Sequence, residues 1–209
     1  MPRLKLSDVS ISLGKLLASY WLDTKDFIKK SDSSAPALRQ FAERRGFSVS
    51  DEDLQKAAVH LDGEMSEGDP NRWVVFICFF GHPHALWNFM MDAMSVASCS
   101  NDYHKIATEL AEHILAHYGS MIGYFEKIAK ADNRFVHMLT GVWRHRMSDD
   151  VWMRLRAIQA QDCDPLPMMI PLENGVDYMA HSLSEEDRTS PDKGRYILDA
   201  EGNWVRRIP

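Results

Sequence analysis

Cysteine is scarce in this chain. Cys78, Cys99 and Cys163 are its three cysteines, and none stands at CxxC spacing. That pattern predicts free thiols in a reducing compartment and argues against a disulfide scaffold. Long apolar runs are missing too: the longest, Trp73 to Phe80, has eight residues and is too short to span a bilayer. The opening residues, MPRLKLSDVS, lack the apolar core of roughly 7–15 residues that a signal peptide needs, so no export is expected. Neither sign of charge dominates. Lys and Arg number 24 against 30 Asp and Glu, and the net charge of −6 disfavours nonspecific attraction to nucleic acid or anionic lipid. These absences together predict a cytoplasmic protein that engages neither DNA nor membrane.

Several enzyme signatures are absent as well. There is no glycine-rich phosphate loop of either common spacing. There is no Glu-x-x-His, the repeat that builds a di-metal site in a helical bundle; Glu109 to His113 is one residue too long. The segment Tyr118-Gly119-Ser120-Met121-Ile122-Gly123 resembles a nucleophile elbow only superficially, because its serine directly follows the first glycine within a helical pattern.

What is present is material for a helical core: 45% apolar residues, twelve Met, nine His and six Trp. Asp69-Pro70 opens the run Trp73 to Phe80 and Gly81 closes it, so helix grammar outweighs the β-branched and aromatic content of WVVFICFF. Leu13, Leu16, Leu17, Tyr20 and Trp21 recur at helical spacing near the start. A short helix, Ala37 to Arg45, ends at Gly46. Ser50 then caps another that carries Asp51, Glu52 and Asp53 in its first turn. Pro83 begins a helix to about Ala97, and Asp102 begins a long one to about Ala129. Arg134–Arg146 and Ser148–Gln161 read as two more. The expected fold is all-α: a single-domain bundle of about seven helices over residues 1–163. An irregular arm, 164–209, is expected to pack on it through Met168, Met169, Ile170, Tyr178 and Trp204 and to end in a small β-hairpin around Glu201-Gly202-Asn203.

Glu109, His113 and His117, each four residues apart, form the best metal-like line. Two His at i and i+4 chelate a divalent ion and a carboxylate completes the shell, so one divalent metal is the cofactor to test. On a wheel of about 100° per residue, His117 lies roughly 60°, His113 about 100° and Glu109 about 140° from the centre of the face made by Leu110, Ile114, Met121, Phe125 and Ile128. His117 is therefore expected half-buried and Glu109 in water. The same pair, His117 and His113, is also the candidate for acid/base catalysis. A second polar line, His82, His84, Asn88 and Asp92, reads as a solvated face with His82 as an N-cap.

Two further features compete for a function. Residues 38–58 have helix–turn–helix rhythm, but Asp51, Glu52 and Asp53 occupy the end that would meet phosphates. Through Phe41, Ala42, Gly46, Phe47, Val49, Ser50, Asp53 and Leu54 this stretch resembles Nif11-type leader peptides, a likeness that implies contact with peptide-maturation machinery. The basic–aromatic cluster Trp143, Arg144, His145, Arg146, Trp152, Arg154 and Arg156 holds the residue types favoured at interfaces and anion clamps. The sequence therefore predicts first an interaction protein (adaptor, inhibitor or immunity-type partner) using a Met/Trp/Arg surface, with a protein or peptide partner and a homodimer open. The alternative is a small-molecule- or peptide-modifying enzyme built on the histidine pair.

Overall fold

The structure, a computed structural model, describes residues 11–23, 34–61, 74, 77, 78, 81–166 and 192–208. It is mostly helical, with one small two-stranded antiparallel sheet near the C-terminus. No helix among the described residues is long and apolar enough to cross a membrane. The residues form two compact units, one ending at Ser98 and the other beginning at Cys99.

The first unit is built on α1 (Ile11–Leu22), α2 (Ala35–Arg44), α3 (Asp51–Leu61) and α4 (Pro83–Val96). Leu13, Leu16, Leu17, Tyr20 and Trp21 of α1 are all buried, as expected of a helix apolar nearly all round. Tyr20 meets Phe41 edge-on at 5.4 Å, and Trp21 meets Phe89 at 5.9 Å. α2 ends in a Schellman turn: Phe47 N–H donates to Ala42 O and Gly46 N–H to Glu43 O, with Gly46 at φ +73° where a side chain would be strained. Ser50 Oγ accepts from Asp53 N–H at 3.1 Å to start α3. His82 caps α4, its Nδ1 accepting from His84 N–H at 3.2 Å ahead of Pro83. Within the Trp73–Phe80 run, Val74, Ile77 and Cys78 are helical and buried. The Asp69-Pro70 cap lies outside the described residues. His84 and Asn88 are exposed, whereas Asp92 is half-buried with its carboxylate against Gly14.

The second unit departs from the expected long helix. Cys99 and Asp102 open α5 (Ser100–Ile106), with Cys99 N–H donating to the Asp102 carboxylate. The chain then passes through a π-helical turn, Ala107–Ala111, into α6 (Glu112–His117). It breaks at Tyr118 (φ −136°, ψ 60°), makes a 3-10 turn at Gly119–Met121, and resumes as α7 (Ile122–Ala129). The helix predicted from Asp102 to Ala129 is therefore interrupted twice. The break falls at Tyr118, just ahead of Gly119, and a Cβ at Gly123 would meet no neighbour among the described residues.

The helix predicted from Arg134 to Arg146 is also shorter. α8 (Asn133–Leu139) stops at Thr140-Gly141, and residues 142–148 form a turn in which His145 has φ +41°. Buried Gln159, near the end of α9 (Asp149–Gln159), holds that turn by donating to Leu139 O at 2.8 Å and Val142 O at 3.0 Å. Leu139 O is a carbonyl at the α8 C-terminus, where intrahelical donors run out, and Val142 O belongs to the turn. Leu110, Ile114, Met121, Phe125, Phe135, Leu139, Leu155 and Ile158 fill the core. Strands β1 (Tyr196–Leu198) and β2 (Trp204–Arg206) make the hairpin, paired Ile197 to Val205, with Asp199 Oδ1 accepting from Glu201 and Asn203 N–H in the turn. Of the arm's expected packing residues, Met168, Met169, Ile170 and Tyr178 lie outside the described residues. Trp204 packs edge-on against Tyr118 at 5.5 Å.

Candidate functional site

Where α6 ends, imidazoles collect. His113 and His117 sit one turn apart on α6, and their rings stack at 5.9 Å with planes 14° apart. His145 arrives from the turn after α8, its ring 6.1 Å from His113. A non-glycine residue at positive φ is uncommon and held only where the surroundings determine it. Here the surroundings include Glu112: one carboxylate oxygen accepts from Trp143 N–H at 3.2 Å, and the other lies 3.9 Å from His145 Nδ1. The local sequence thus does two things. The stop at Thr140-Gly141 turns the chain back, and Glu112 fastens the returning strand of chain one residue before His113.

The other side of the cluster is made by the C-terminal segment. His117 O, the final carbonyl of α6, accepts from both Lys193 N–H and Gly194 N–H at 2.8 Å. Asp192 Oδ1 accepts from Ser120 N–H at 3.1 Å and Ser120 Oγ–H at 2.9 Å, and Asp192 bridges to Tyr118. Ser120 is thereby a turn-holding hydroxyl, exposed and bound to a carboxylate.

Burial and positive neighbours set the electrostatics. Desolvation is the leading cause depressing His117, followed by the charges of His113, Arg146, His145 and Lys193, and together they push it down to about 4. Burial, then His145, also lowers His113. Both rings are therefore neutral at physiological pH, each offering one N–H donor and one lone pair. Burial pushes the Tyr118 phenol up to about 12, so it remains a neutral donor.

The metal reading does not fit this geometry. Imidazole ligates through a lone pair in its ring plane, so two rings stacked nearly parallel do not aim at one ion. Among the described residues no group of three or more His, Cys, Asp or Glu is placed to hold a metal ion. Glu109 also differs from expectation. It is half-buried, with Oε2 shielded from solvent, and not on a water-facing side. The π-turn containing it carries an extra residue, so a 100° wheel drawn through 109 to 117 misplaces it.

The basic–aromatic cluster is dispersed. Trp143, Arg144 and Arg146 lie on the turn, while Trp152, Arg154 and Arg156 lie on α9. Arg144 pairs with Asp149. Arg154 makes a two-pronged contact with Glu126, at 2.8 and 2.7 Å, and reaches Asp150 at 3.6 Å. Arg156 stacks over Trp152 at 5.6 Å and donates to Gln159. Of the set, His145 joins the other imidazoles, and the charge of exposed Arg146 is felt at His117. His137 makes a separate pair with Asp162 at 2.8 Å that ties α8 to the chain after α9.

Sequence reasoning located His113 and His117 but missed their association with His145, Glu112 and Lys193. The one local hint for His145 is Gly141, whose Cα lies so close to Ala107 that a Cβ would come within 3.1 Å of its methyl. Nothing local to the sequence points to Lys193.

A model described as "Family of unknown function (DUF6869)" matches residues 62–163, just under half of the chain. The matched stretch contains His113, His117, His145 and Glu112 and stops short of Asp192 and Lys193. No curated protein and no solved structure matches the chain.

Proposed function

We propose that the second unit is a small-molecule- or peptide-modifying enzyme in which His117 and His113 move protons. The observation that carries this reading is the half-buried, stacked pair joined by His145, with Glu112 beside the third ring. Neutral imidazoles can accept a proton at one nitrogen and donate from the other, which suits an acid/base relay. The three free cysteines fit a reducing compartment, and a cytoplasmic location belongs to this reading.

The test is untargeted mass spectrometry of a small-molecule and peptide extract incubated with wild type, His117→Ala and His113→Ala. The expected result is a product formed by wild type and lost by roughly 100-fold or more in His117→Ala, the usual scale of a general acid or base. No wild-type-dependent product, or equal formation by the variants, overturns the proposal.

One observation favours a second reading, an interaction protein of adaptor, inhibitor or immunity type. Met153 is 71% exposed on α9, beside the Arg156–Trp152 stack, and Met and Trp are common anchors at adaptable surfaces. Sedimentation of wild type against Met153→Asp tests its homodimer form. A monomeric wild type, or a dimer indifferent to the substitution, removes that form.

A further inference from the structure

We infer that residues 192–208 form a strap that opens and closes over the His117 end of the histidine cluster, with the bond between Ser120 and Asp192 as its catch. The consequence for catalysis rests on the acid/base reading, whereas the motion itself does not. The strap's fastenings gather at the break between α6 and α7. Lys193 N–H and Gly194 N–H donate to His117 O, the Asp192 backbone bridges to Tyr118, and Asp192 Oδ1 accepts from Ser120 N–H and Oγ–H. The Tyr118 hydroxyl lies within hydrogen-bonding reach of the Arg195 and Tyr196 backbone, and Trp204 meets the Tyr118 ring edge-on. The rings of Tyr118 and His117 are 6.5 Å apart, so a segment seated on the first borders the second.

What holds the strap is weak beside what holds the helices. No residue from 192 to 208 is buried, whereas α6 and α7 bury Ile114, Leu115, Ile122 and Phe125 almost completely. With little apolar burial, the dominant stabilising contribution to folding, the strap relies on polar contacts that exchange with water at small net gain. The catch is open to that exchange, because Ser120 is exposed. The hairpin does not anchor itself either: its strands are three residues each, and an isolated two-stranded hairpin is marginal in water. Pairing of Ile197 with Val205 and the Asp199 turn nevertheless join 196–206 into one piece, so the segment moves together once its fastenings yield. Segments with few buried apolar contacts and exposed hydrogen bonds open locally, far below the cost of global unfolding.

Opening changes His117 in two ways. It uncovers the ring, and it withdraws Lys193, one of the positive groups that depress the ring's proton affinity. With the strap closed, His117 is screened from water and held neutral; with it open, the ring is accessible to a substrate. Alternation between access and exclusion of water is what mobile loops contribute to acid/base sites.

The experiment combines hydrogen exchange with carbethoxylation by diethyl pyrocarbonate, both read by mass spectrometry on the full chain. Relative to intrinsic rates, peptides from 192–208 of wild type should exchange roughly 100-fold or more faster than peptides from α8 and α9. Asp192→Ala removes the catch. It should speed both the exchange of 192–208 and the carbethoxylation of His117 by roughly tenfold or more, the scale of a lost hydrogen bond to a charged group, and leave α8 and α9 at wild-type rates. Ser120→Ala, which spares the backbone N–H, should act in the same direction by a smaller factor. The inference is overturned if 192–208 exchanges at the rate of the helices, or if His117 modification ignores Asp192→Ala. Equal acceleration of α8 and α9 in that variant overturns it too, since the strap would then belong to the cooperative core. None of these readouts needs a substrate, so a missing His117-dependent product would defeat the acid/base reading and leave the strap standing.

Discussion

Gly194 lies flat against the ring of Tyr118: a Cβ at position 194 would come within 2.2 Å of Tyr118 Cε1. Tyr118 is 1% exposed and cannot swing away, and it is the residue at which the α6–α7 helix breaks. One missing methyl group thus lets the C-terminal segment reach His117 O. Gly194→Ala is expected to destabilise the protein by about 1–3 kcal/mol, as overpacking of a filled site does. It should also alter the His117 NMR signals. Denaturant unfolding within a few tenths of wild type, with unchanged imidazole signals, would show that the contact does not matter.

Gln159 is a second such clasp. Its amide nitrogen holds Leu139 O and Val142 O, while its oxygen accepts from Arg156. Gln159→Leu keeps the bulk but removes a donor from Val142 O and one from Leu139 O, which retains Val142 N–H, for an expected loss of about 1–3 kcal/mol. Because the clasp fixes the turn carrying Trp143 and His145, the His145 ring signal should broaden or move as stability falls. A stable variant with an unmoved His145 signal contradicts this account.

Asp92 makes the first unit sensitive to pH. Burial against Gly14, opposed by Lys15, raises its carboxyl from 3.8 to about 6. The folded state therefore holds this proton more tightly than the unfolded chain does. The resulting stability is full below pH 3.8 and is lost as pH rises through about 6. Asp92→Asn should flatten the decline between pH 4 and 7 and melt higher than wild type at neutral pH. Parallel melting profiles for the two proteins would refute the assignment.

His117 works in the opposite direction. Its folded value of about 4 lies below the ordinary 6.5, so the native state resists protonation. That contribution is complete above pH 6.5 and disappears as pH falls through about 4. Acid unfolding followed by circular dichroism should begin at higher pH in wild type than in His117→Asn.

The boundary between what could be read and what could not runs through α5 to α7. Capping chemistry is local, and Ser50, His82, Ser148 and Gly46 all sit where a helix terminus needs their side chain or conformation. The hairpin turn at Glu201-Gly202-Asn203 was equally visible, because Asp199 and Gly202 satisfy it within four residues. The π-turn at Ala107–Ala111 was invisible: its residues are ordinary helix formers, and one wheel drawn through them misplaced Glu109.

By itself the sequence determined that this chain is helical, where most helices begin, and that His113 and His117 share one turn of helix. These follow from residue spacing and from hydrogen bonds made within a few positions. Tertiary structure alone decided that His145 turns back to them, that Glu112 secures it, and that Lys193 comes to His117. Those meetings depend on backbone groups left over at the ends of α6 and α8, whose partners lie dozens of residues away, so no local pattern records them.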